Sequence, residues 1–224
     1  MKTIERLRAR ELRIQGASVR DIERALGVSR STASRWVADV EMPPEARRAL
    51  VERVTEGRLA VAQRKREAAR RLRVEYQDEG RRRARLGDDS YSAGCMLYWA
   101  EGEKGRNIVG MSNADVGLLV YFATFLRQHF DVTPEAMKIH CNLFADHLER
   151  QREIERFWLG ALGLPEAGLR KSSVNVYSKY SAKKRVNKLP YGTCKLVVCS
   201  TRIVQTIYGS IQEYAGVEHP EWLD

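Results

Sequence analysis

Cysteine and histidine are scarce in this chain, with four of each among 224 residues, and none has the close spacing of zinc ligands. The cysteines form no Cys-x-x-Cys pair and lie inside apolar runs, which favours buried free thiols in a reducing compartment. The sequence therefore predicts no structural zinc. The residues concerned are Cys95, Cys141, Cys194, Cys199, His129, His140, His147 and His219.

Long apolar runs are also missing. No stretch reaches the roughly 18 apolar residues of a membrane-spanning helix, and the N-terminal MKTIERLRAR is charged where a signal peptide would be apolar. Patterns of a Ser-His-Asp triad, a Cys-His pair, a P-loop or a dinucleotide fold are absent as well. The sequence predicts a cytoplasmic protein with no membrane partner.

Acidic residues are too few to balance the basic ones, and the net charge is +10. The excess lies near the N-terminus: residues 1–44 hold 9 basic and 6 acidic residues, 45–86 hold 14 and 7, and 87–224 hold 16 and 16. From Arg170 to Lys195 there is no acid at all. A positive field attracts polyanions, and counterion release favours their binding. Two separate basic surfaces therefore indicate a nucleic-acid partner.

Residues 16–40 carry the pattern of two short helices joined by a turn. Ser18 and Asp21 form a capping box for a helix that should end at Gly27, and Ser29 can cap a second helix starting at Arg30. An earlier helix, suggested by its apolar residues, completes a three-helix unit. Those residues are Ile4, Leu7, Leu12 and Ile14.

The second helix of this pair has an apolar face and a face suited to DNA. Small hydroxyl side chains between arginines can contact base edges and phosphates in a major groove. The arrangement resembles the helix-turn-helix of resolvase-type and sigma-factor DNA-binding domains. Any helical hairpin would need the same apolar residues, so they do not indicate function by themselves. The charge distribution is what favours a DNA-binding domain over a neutral protein-docking module. The predicted DNA-binding residues are Arg30, Ser31, Thr32, Ser34 and Arg35.

A long helix is predicted from Glu45 to about Leu86, with Gly57 as its weak point. Its thin apolar stripe is compatible with a dimer interface, and its arginines could contact DNA phosphates. The helix as a whole is equally compatible with a solvated connector. Arg81, Arg82 and Arg83 are predicted to contact phosphate. The stripe consists of Leu50, Val54, Val61, Ala68, Leu72 and Tyr76.

After this helix, the apolar segment Tyr91 to Lys104 ends abruptly at Glu101 and Gly102. A left-handed cap at Gly102 would let the Glu101 carboxylate project from the helix end. The segment MLYWAEG, the strand IVGM and the helix after SNAD together resemble the LAGLIDADG homing-endonuclease family. The resemblance places Glu101 as the family's metal-binding acid, where Mg²⁺ would be the cofactor. A full active site would need a second motif helix, and therefore a dimer.

The resemblance also implies a saddle-shaped sheet over DNA, with a basic hairpin at 177–192 whose side chains contact it. The pattern predicts helices at 115–130, 146–162 and 201–215 and strands at 138–144, 173–177 and 193–200. Bases would be met by Tyr177, Tyr180 and Asn187. Phosphates would be met by Lys179, Lys183, Lys184, Arg185 and Lys188.

The predicted fold is therefore α+β, in three parts. A trihelical helix-turn-helix domain spans 1–44, a long basic linker helix spans 45–87, and a LAGLIDADG-like mixed α/β domain spans 88–218. The predicted function is sequence-specific binding of double-stranded DNA by a transcriptional or mobile-element regulator, with no cofactor. A Mg²⁺-dependent endonuclease and an accessory protein docking on a DNA enzyme such as a recombinase remain alternatives, and homodimerisation stays open.

Overall fold

The computed structural model describes residues 2–175 and 189–224, which form an α+β structure, as predicted. It divides into two compact units, Met1–Ala68 and Ala69–Asp224. The helices and strands are α1 (Lys2–Ile14), α2 (Val19–Leu26), α3 (Arg30–Trp36), α4 (Pro44–Ala84), α5 (Asp89–Glu101), β1 (Val109–Asn113), α6 (Val116–Phe130), β2 (Met137–Phe144), α7 (Gln151–Leu162), β3 (Ser173–Asn175), β4 (Thr193–Val198) and α8 (Thr201–Ala215). Short 3₁₀ helices lie at Pro134–Ala136, Ala145–Arg150, Glu166–Gly168 and Pro220–Leu223.

The first unit holds the predicted three-helix arrangement around a small core. Ala9 of α1, Ile22 of α2 and Ala33 of α3 are completely buried, and Val37 closes the core just after α3. Small residues at two of these positions let the helices approach closely, which suits a core of this size. The helix-turn-helix therefore has its own hydrophobic core.

The large apolar residues that indicated α1 lie mostly on its outer side. Ile4, Leu7 and Ile14 are 74%, 60% and 52% exposed, while Ala9 is buried and Leu12 packs at the edge of the core. α1 faces its neighbours through Ala9 because its small side chain allows close contact, and the larger residues are left on the outer side. An exposed apolar face therefore remains on α1.

The long helix α4 is continuous through Gly57, where nothing lies within 4 Å of the site of a side chain. Every residue from 51 to 67 is exposed. Val51, Val54, Leu59 and Val61 are the large apolar residues within this stretch. Of the predicted apolar stripe in the first unit, Val54 and Val61 are exposed, whereas Leu50 and Ala68 are half-buried.

A four-stranded sheet of order β1-β4-β2-β3 forms the centre of the second unit. β4 pairs antiparallel with both β1 and β2, and β3 pairs parallel with β2. Along β2, fully buried and half-buried residues alternate over all eight positions, so one face packs on the core and the other meets solvent. The buried face joins side chains of α5, α6, α7 and α8 in one hydrophobic core.

Glycines set the closest helix contacts of this unit. A side chain at Gly80 of α4 would meet the Thr206 carbonyl of α8, and one at Gly94 of α5 would meet the ring of Phe125. Helices can approach to backbone contact only where no side chain intervenes. These glycines therefore fix the helical layer behind the sheet.

Most predicted elements of this unit are present, with shifted boundaries; the strand predicted at 193–200, for example, ends at Val198. The helix predicted from residue 146 begins instead at Gln151, and a 3₁₀ turn occupies Ala145–Arg150. Of the predicted buried thiols, Cys95, Cys141 and Cys194 are buried, whereas Cys199 is exposed. The predicted domain boundaries remain a prediction.

Candidate nucleic-acid interface

The turn between α2 and α3 is built from the caps that the sequence indicates. The Asp21 amide donates to Ser18 Oγ at 3.1 Å, and the Ser18 amide donates to Asp21 Oδ2 at 3.0 Å, which completes the capping box. Gly27 closes α2 with φ 63°, a left-handed conformation that favours glycine. The Thr32 amide donates to Ser29 Oγ at 3.3 Å and starts α3. These local contacts determine the angle at which α3 leaves the turn.

The outward face of α3 presents hydroxyl and guanidinium groups. Arg30, Ser31, Ser34 and Arg35 are exposed and Thr32 is half-buried. The hydroxyls of Ser31 and Thr32 lie 3.0 and 2.9 Å from Ser29 Oγ, so they form one chain of polar atoms. Such groups donate to and accept from base edges, while guanidinium groups bind guanine or phosphate. All five predicted contact residues lie on or beside this face.

Ion pairs link α1 to the segment after α3, and α2 to α4. Arg10 of α1 donates to Asp39 at 2.7 Å, just beyond α3. Asp21 accepts from Arg53 of α4 at 2.7 Å. The hydrogen bonds from the Ser18 side chain and backbone, assisted by the Arg53 charge, hold the pKa of Asp21 below its ordinary value. Exposed pairs of this kind add little stability individually.

The second unit has a groove of about 830 Å³ on the solvent face of its sheet. Its floor is a row across three strands, because Lys195 of β4 pairs with Ser112 of β1 on one side and His140 of β2 on the other. Arg106 and Arg170 line it from adjoining segments. The groove thus combines cationic groups with hydrogen-bonding side chains.

One end of the groove carries a polar network. His140 Nε2 lies 3.0 Å from Asn142 Oδ1 and 3.2 Å from Ser173 Oγ. Ser173 Oγ donates to Asn142 Oδ1 at 2.8 Å, and Asn142 Nδ2 donates to Thr193 Oγ1 at 3.4 Å. The network holds the Asn142 amide in one orientation on the sheet face. Amide and hydroxyl groups arranged in this way can exchange hydrogen bonds with bases or phosphates.

The loop 103–108 forms the groove wall and is held by buried side chains. Tyr208 donates its hydroxyl to the Gly105 carbonyl at 3.0 Å, and Gln205 donates to the Arg106 carbonyl at 3.0 Å. Tyr98 donates to the Glu103 carbonyl at 2.5 Å. Burial raises the pKa of Tyr98 to about 12 and raises that of Tyr208 as well, so both hydroxyls stay protonated as donors. The wall is therefore pre-organised.

The end of α5 differs from the prediction. Gly102 has φ −78° and ψ 151°, an extended conformation, so the predicted left-handed cap is wrong. Lys104 caps the helix instead, because its ammonium donates to the carbonyls of Trp99 at 2.8 Å and Gly102 at 2.6 Å. Glycine is needed at 102 for space, since a side chain there would strike the ring of Tyr98.

Glu101 is exposed at this helix end, and its carboxylate accepts from Asn113 Nδ2 at 3.2 Å. The nearby Glu103 carboxylate pairs with Lys195 at 2.5 Å and is therefore already neutralised. Mg²⁺ prefers several oxygen ligands in octahedral geometry. Among residues 2–175 and 189–224 no group of three or more candidate ligands is assembled. Glu101 alone does not fit a Mg²⁺ site in one chain.

The predicted phosphate-binding arginines differ in their surroundings. Arg81 lies 3.2 Å from Asp78 and 3.0 Å from Glu218, and its side chain is only 20% exposed. Arg82 is exposed. Two acids already neutralise Arg81, so it contributes little to a surface potential.

Arg83 is likewise engaged within the unit. It donates to the His129 carbonyl at 2.8 Å, and its guanidinium lies 5.2 Å from the ring centre of Tyr91 and 5.0 Å from that of Phe130. The predicted basic hairpin lies largely outside the described residues. Its phosphate contacts Lys179, Lys183, Lys184, Arg185 and Lys188, and its base contacts Tyr177, Tyr180 and Asn187, all fall there.

The groove residues Ser112, His140 and Asn142 had not been singled out as contacts from the sequence. Alternation of apolar and polar residues along 137–144 was the available signal, because it marks one solvent-facing side of a strand. Which residues of β4 lie beside that side of β2 is known only from the strand register.

Comparison with known proteins bears on the first unit. Residues 1–41 match the family model of the homeodomain-like domain, a helix-turn-helix family. No curated protein and no solved structure matches the chain. The N-terminal helix-turn-helix indicates DNA binding. For residues 88–218 the LAGLIDADG resemblance has no support from these comparisons. Within the part of the chain that the structure describes, no helix is long and apolar enough to cross a membrane.

Proposed function

We propose that this protein binds a specific double-stranded DNA site and acts as a regulator of transcription or of a mobile element. The outward face of α3 carries the proposal, since it presents Arg30, Ser34 and Arg35 from a capped helix with its own packed core. Side chains of this kind read base edges from a helix in the major groove. The homeodomain-like match over residues 1–41 supports the same function.

A second DNA contact is proposed on the sheet groove of the other unit. Arg106 and Arg170 supply positive charge there, since Lys195 is paired with Glu103, and Asn142 and Ser173 supply hydrogen-bonding groups. The cations attract the DNA backbone, and the polar side chains on the sheet face are available to bases. This surface takes the place of the Arg81 and Arg83 contacts, because those two arginines serve the unit's own packing.

The exposed stripe on α4 supports a protein partner, and a second copy of this chain is the partner we propose. Val54 and Val61 lie seven residues apart on the exposed helix, and Val51 is one turn from Val54. Pairing two such helices would remove these side chains from water. A DNA enzyme docking at the same stripe is the other open partner. Sedimentation equilibrium of wild-type protein and Val54→Glu distinguishes a self-interface from a monomer.

An endonuclease is retained as the second candidate because Glu101 lies exposed at the end of α5, beside Asn113. Since this carboxylate alone does not make a Mg²⁺ site, cleavage would require ligands from another copy. Metal-dependent cutting that is lost in Glu101→Gln would establish the nuclease.

One selection experiment tests these proposals together. Purified full-length protein is incubated with a random duplex library, with and without Mg²⁺, and both bound molecules and cut ends are sequenced. We expect an enriched site recovered intact in Mg²⁺, whose length and symmetry report whether one or two units and one or two copies read it. If no sequence is enriched among the bound duplexes, site-specific binding is contradicted.

A further inference from the structure

One acidic side chain lies in the basic groove, over a backbone position that has no side chain of its own. Glu103 folds over Gly110 of β1, where a side chain would come within 2.7 Å of its Oε2. Gly110 therefore leaves the space that the carboxylate occupies. Its φ is not in the left-handed region, so conformational need does not explain this glycine.

The backbone of Glu103 is fixed on both sides. Its amide donates to the Gly110 carbonyl at 2.8 Å, and its carbonyl accepts from the hydroxyls of Tyr98 at 2.5 Å and Tyr208 at 3.4 Å. Glu103 is thus held before any ligand arrives, which reduces the entropy lost on binding.

The carboxylate is paired, yet still open to a ligand. Glu103 Oε1 lies 2.5 Å from Lys195 Nζ, and the two side chains remain 45% and 33% exposed. Lys195 is flanked in the sheet by Ser112 and His140, so the pair lies at the groove floor instead of its rim. One carboxylate acceptor and one ammonium donor therefore stand side by side, facing outward.

A phosphate is a poor ligand for this arrangement, because it would be repelled by the carboxylate. A G·C base pair fits it, since its major-groove edge offers the O6 and N7 acceptors of guanine beside the N4 amino donor of cytosine. We propose that Glu103 and Lys195 form a reading pair for one G·C base pair. Lys195 donates to the guanine and Glu103 accepts from the cytosine amino group.

This inference rests on the proposed DNA contact at the groove, and its test separates the two. A bound site is selected with full-length wild-type protein, and each G·C pair in it is replaced in turn by A·T. We expect one G·C pair whose replacement lowers affinity about fivefold or more in the wild type. In Glu103→Gln that loss should become clearly smaller, because a neutral amide oxygen is a weaker acceptor than a carboxylate, while affinity for unrelated duplex rises because a negative charge has been removed.

Two further variants make the result specific. Gly110→Ala displaces the carboxylate without changing any charge, so it should reduce the same G·C preference without raising affinity for unrelated duplex. Asp89→Asn is the matched control, because it also removes one exposed carboxylate but lies 12 residues away, about 18 Å along α5 from its end at Glu101. The control should leave both the preference and the non-specific affinity unchanged.

The possible failures have different causes. If Arg106→Ala together with Arg170→Ala leaves affinity unchanged, the groove does not contact DNA and the proposed second surface is wrong. If that double variant weakens binding while Glu103→Gln and Gly110→Ala keep the full G·C discrimination, the groove binds DNA but the reading pair is overturned.

Discussion

Gly209 of α8 lies directly against the backbone carbonyl of Gln77 in α4, so a side chain at Gly209 would overlap that oxygen. Both elements belong to the second unit, where Gln77 also donates to Gln205 at 2.7 Å and accepts from Gln212 at 3.0 Å. The helices meet backbone to backbone, and buried amides satisfy each other beside the contact. This crossing holds α8 behind the sheet that carries the groove.

Gly209→Ala should therefore destabilise the second unit by about 1–3 kcal/mol through overpacking, despite the better helix propensity of alanine. Gly160→Ala is the matched control, because Gly160 lies in α7 with nothing within 4 Å of the added carbon. The control should be neutral or stabilise by up to about 1 kcal/mol. Chemical denaturation followed by tryptophan fluorescence measures both. Equal effects of the two variants would show that the crossing tolerates a side chain.

The helix-turn-helix could be predicted from the sequence because its determinants are local. Ser18 and Asp21 are three residues apart, Gly27 ends the same helix, and Ser29 begins the next. Each cap acts on backbone groups within one turn, so no knowledge of distant segments is required. The start of the helix predicted at 115–130 is local in the same way, because the Leu118 amide donates to the side chain of Asp115.

The groove could not be predicted in the same way, because its residues are brought together by strand register. His140 and Lys195 are 55 positions apart and become neighbours only through the β2 and β4 pairing. Arg81 shows the converse, since its sequence neighbours suggest a basic cluster whereas Glu218 neutralises it from the end of the chain. The exposed face of α1 escaped prediction because the buried side centres on Ala9, a residue with a weak hydrophobic signal.

Removing the α2 cap should lower the stability of the first unit. Ser18→Ala should cost about 1 kcal/mol, because the Asp21 amide loses its acceptor and the Asp21 carboxylate loses a donor. Hydrogen exchange of α2 measured by mass spectrometry should become faster, while exchange in α8 stays unchanged. If the α2 amides exchange as slowly in Ser18→Ala as in the wild type, the hydrophobic core, and not the cap, determines the local unfolding of α2.

Acid should weaken the same unit in a defined direction. Because the folded pKa of Asp21 lies below its unfolded value, the associated stabilisation is present above the unfolded pKa of about 3.9 and disappears as pH falls through the folded pKa. In Asp21→Asn this component of the acid dependence should be absent. Thermal unfolding between neutral and strongly acidic pH, compared for the two proteins, provides the measurement. Parallel curves would contradict a contribution from Asp21.

Arginines on the α3 face should matter for selectivity as well as for affinity. Arg30→Ala with Arg35→Ala should reduce binding to the selected site by about tenfold or more and lower the preference for it over scrambled duplex. Arg48→Ala is the control, since it is also exposed but belongs to α4 and is not one of the predicted contact residues. The control should change the affinity for the selected site and the affinity for scrambled duplex by a similar factor, so that their ratio is unchanged. Unchanged selectivity in the double variant would remove α3 from sequence recognition.

The groove arginines should act on affinity and on its salt dependence. Arg106 and Arg170 line the groove and are exposed, so replacing both with alanine removes up to two phosphate contacts without disturbing the core. We expect weaker binding to all duplexes, and a plot of log affinity against log salt that is shallower by roughly one to two units. Arg152→Ala with Arg156→Ala serves as a control of equal charge, taken from exposed positions on α7 that do not line the groove. An equal loss of slope in both double variants would mean that net charge, and not this groove, attracts the DNA.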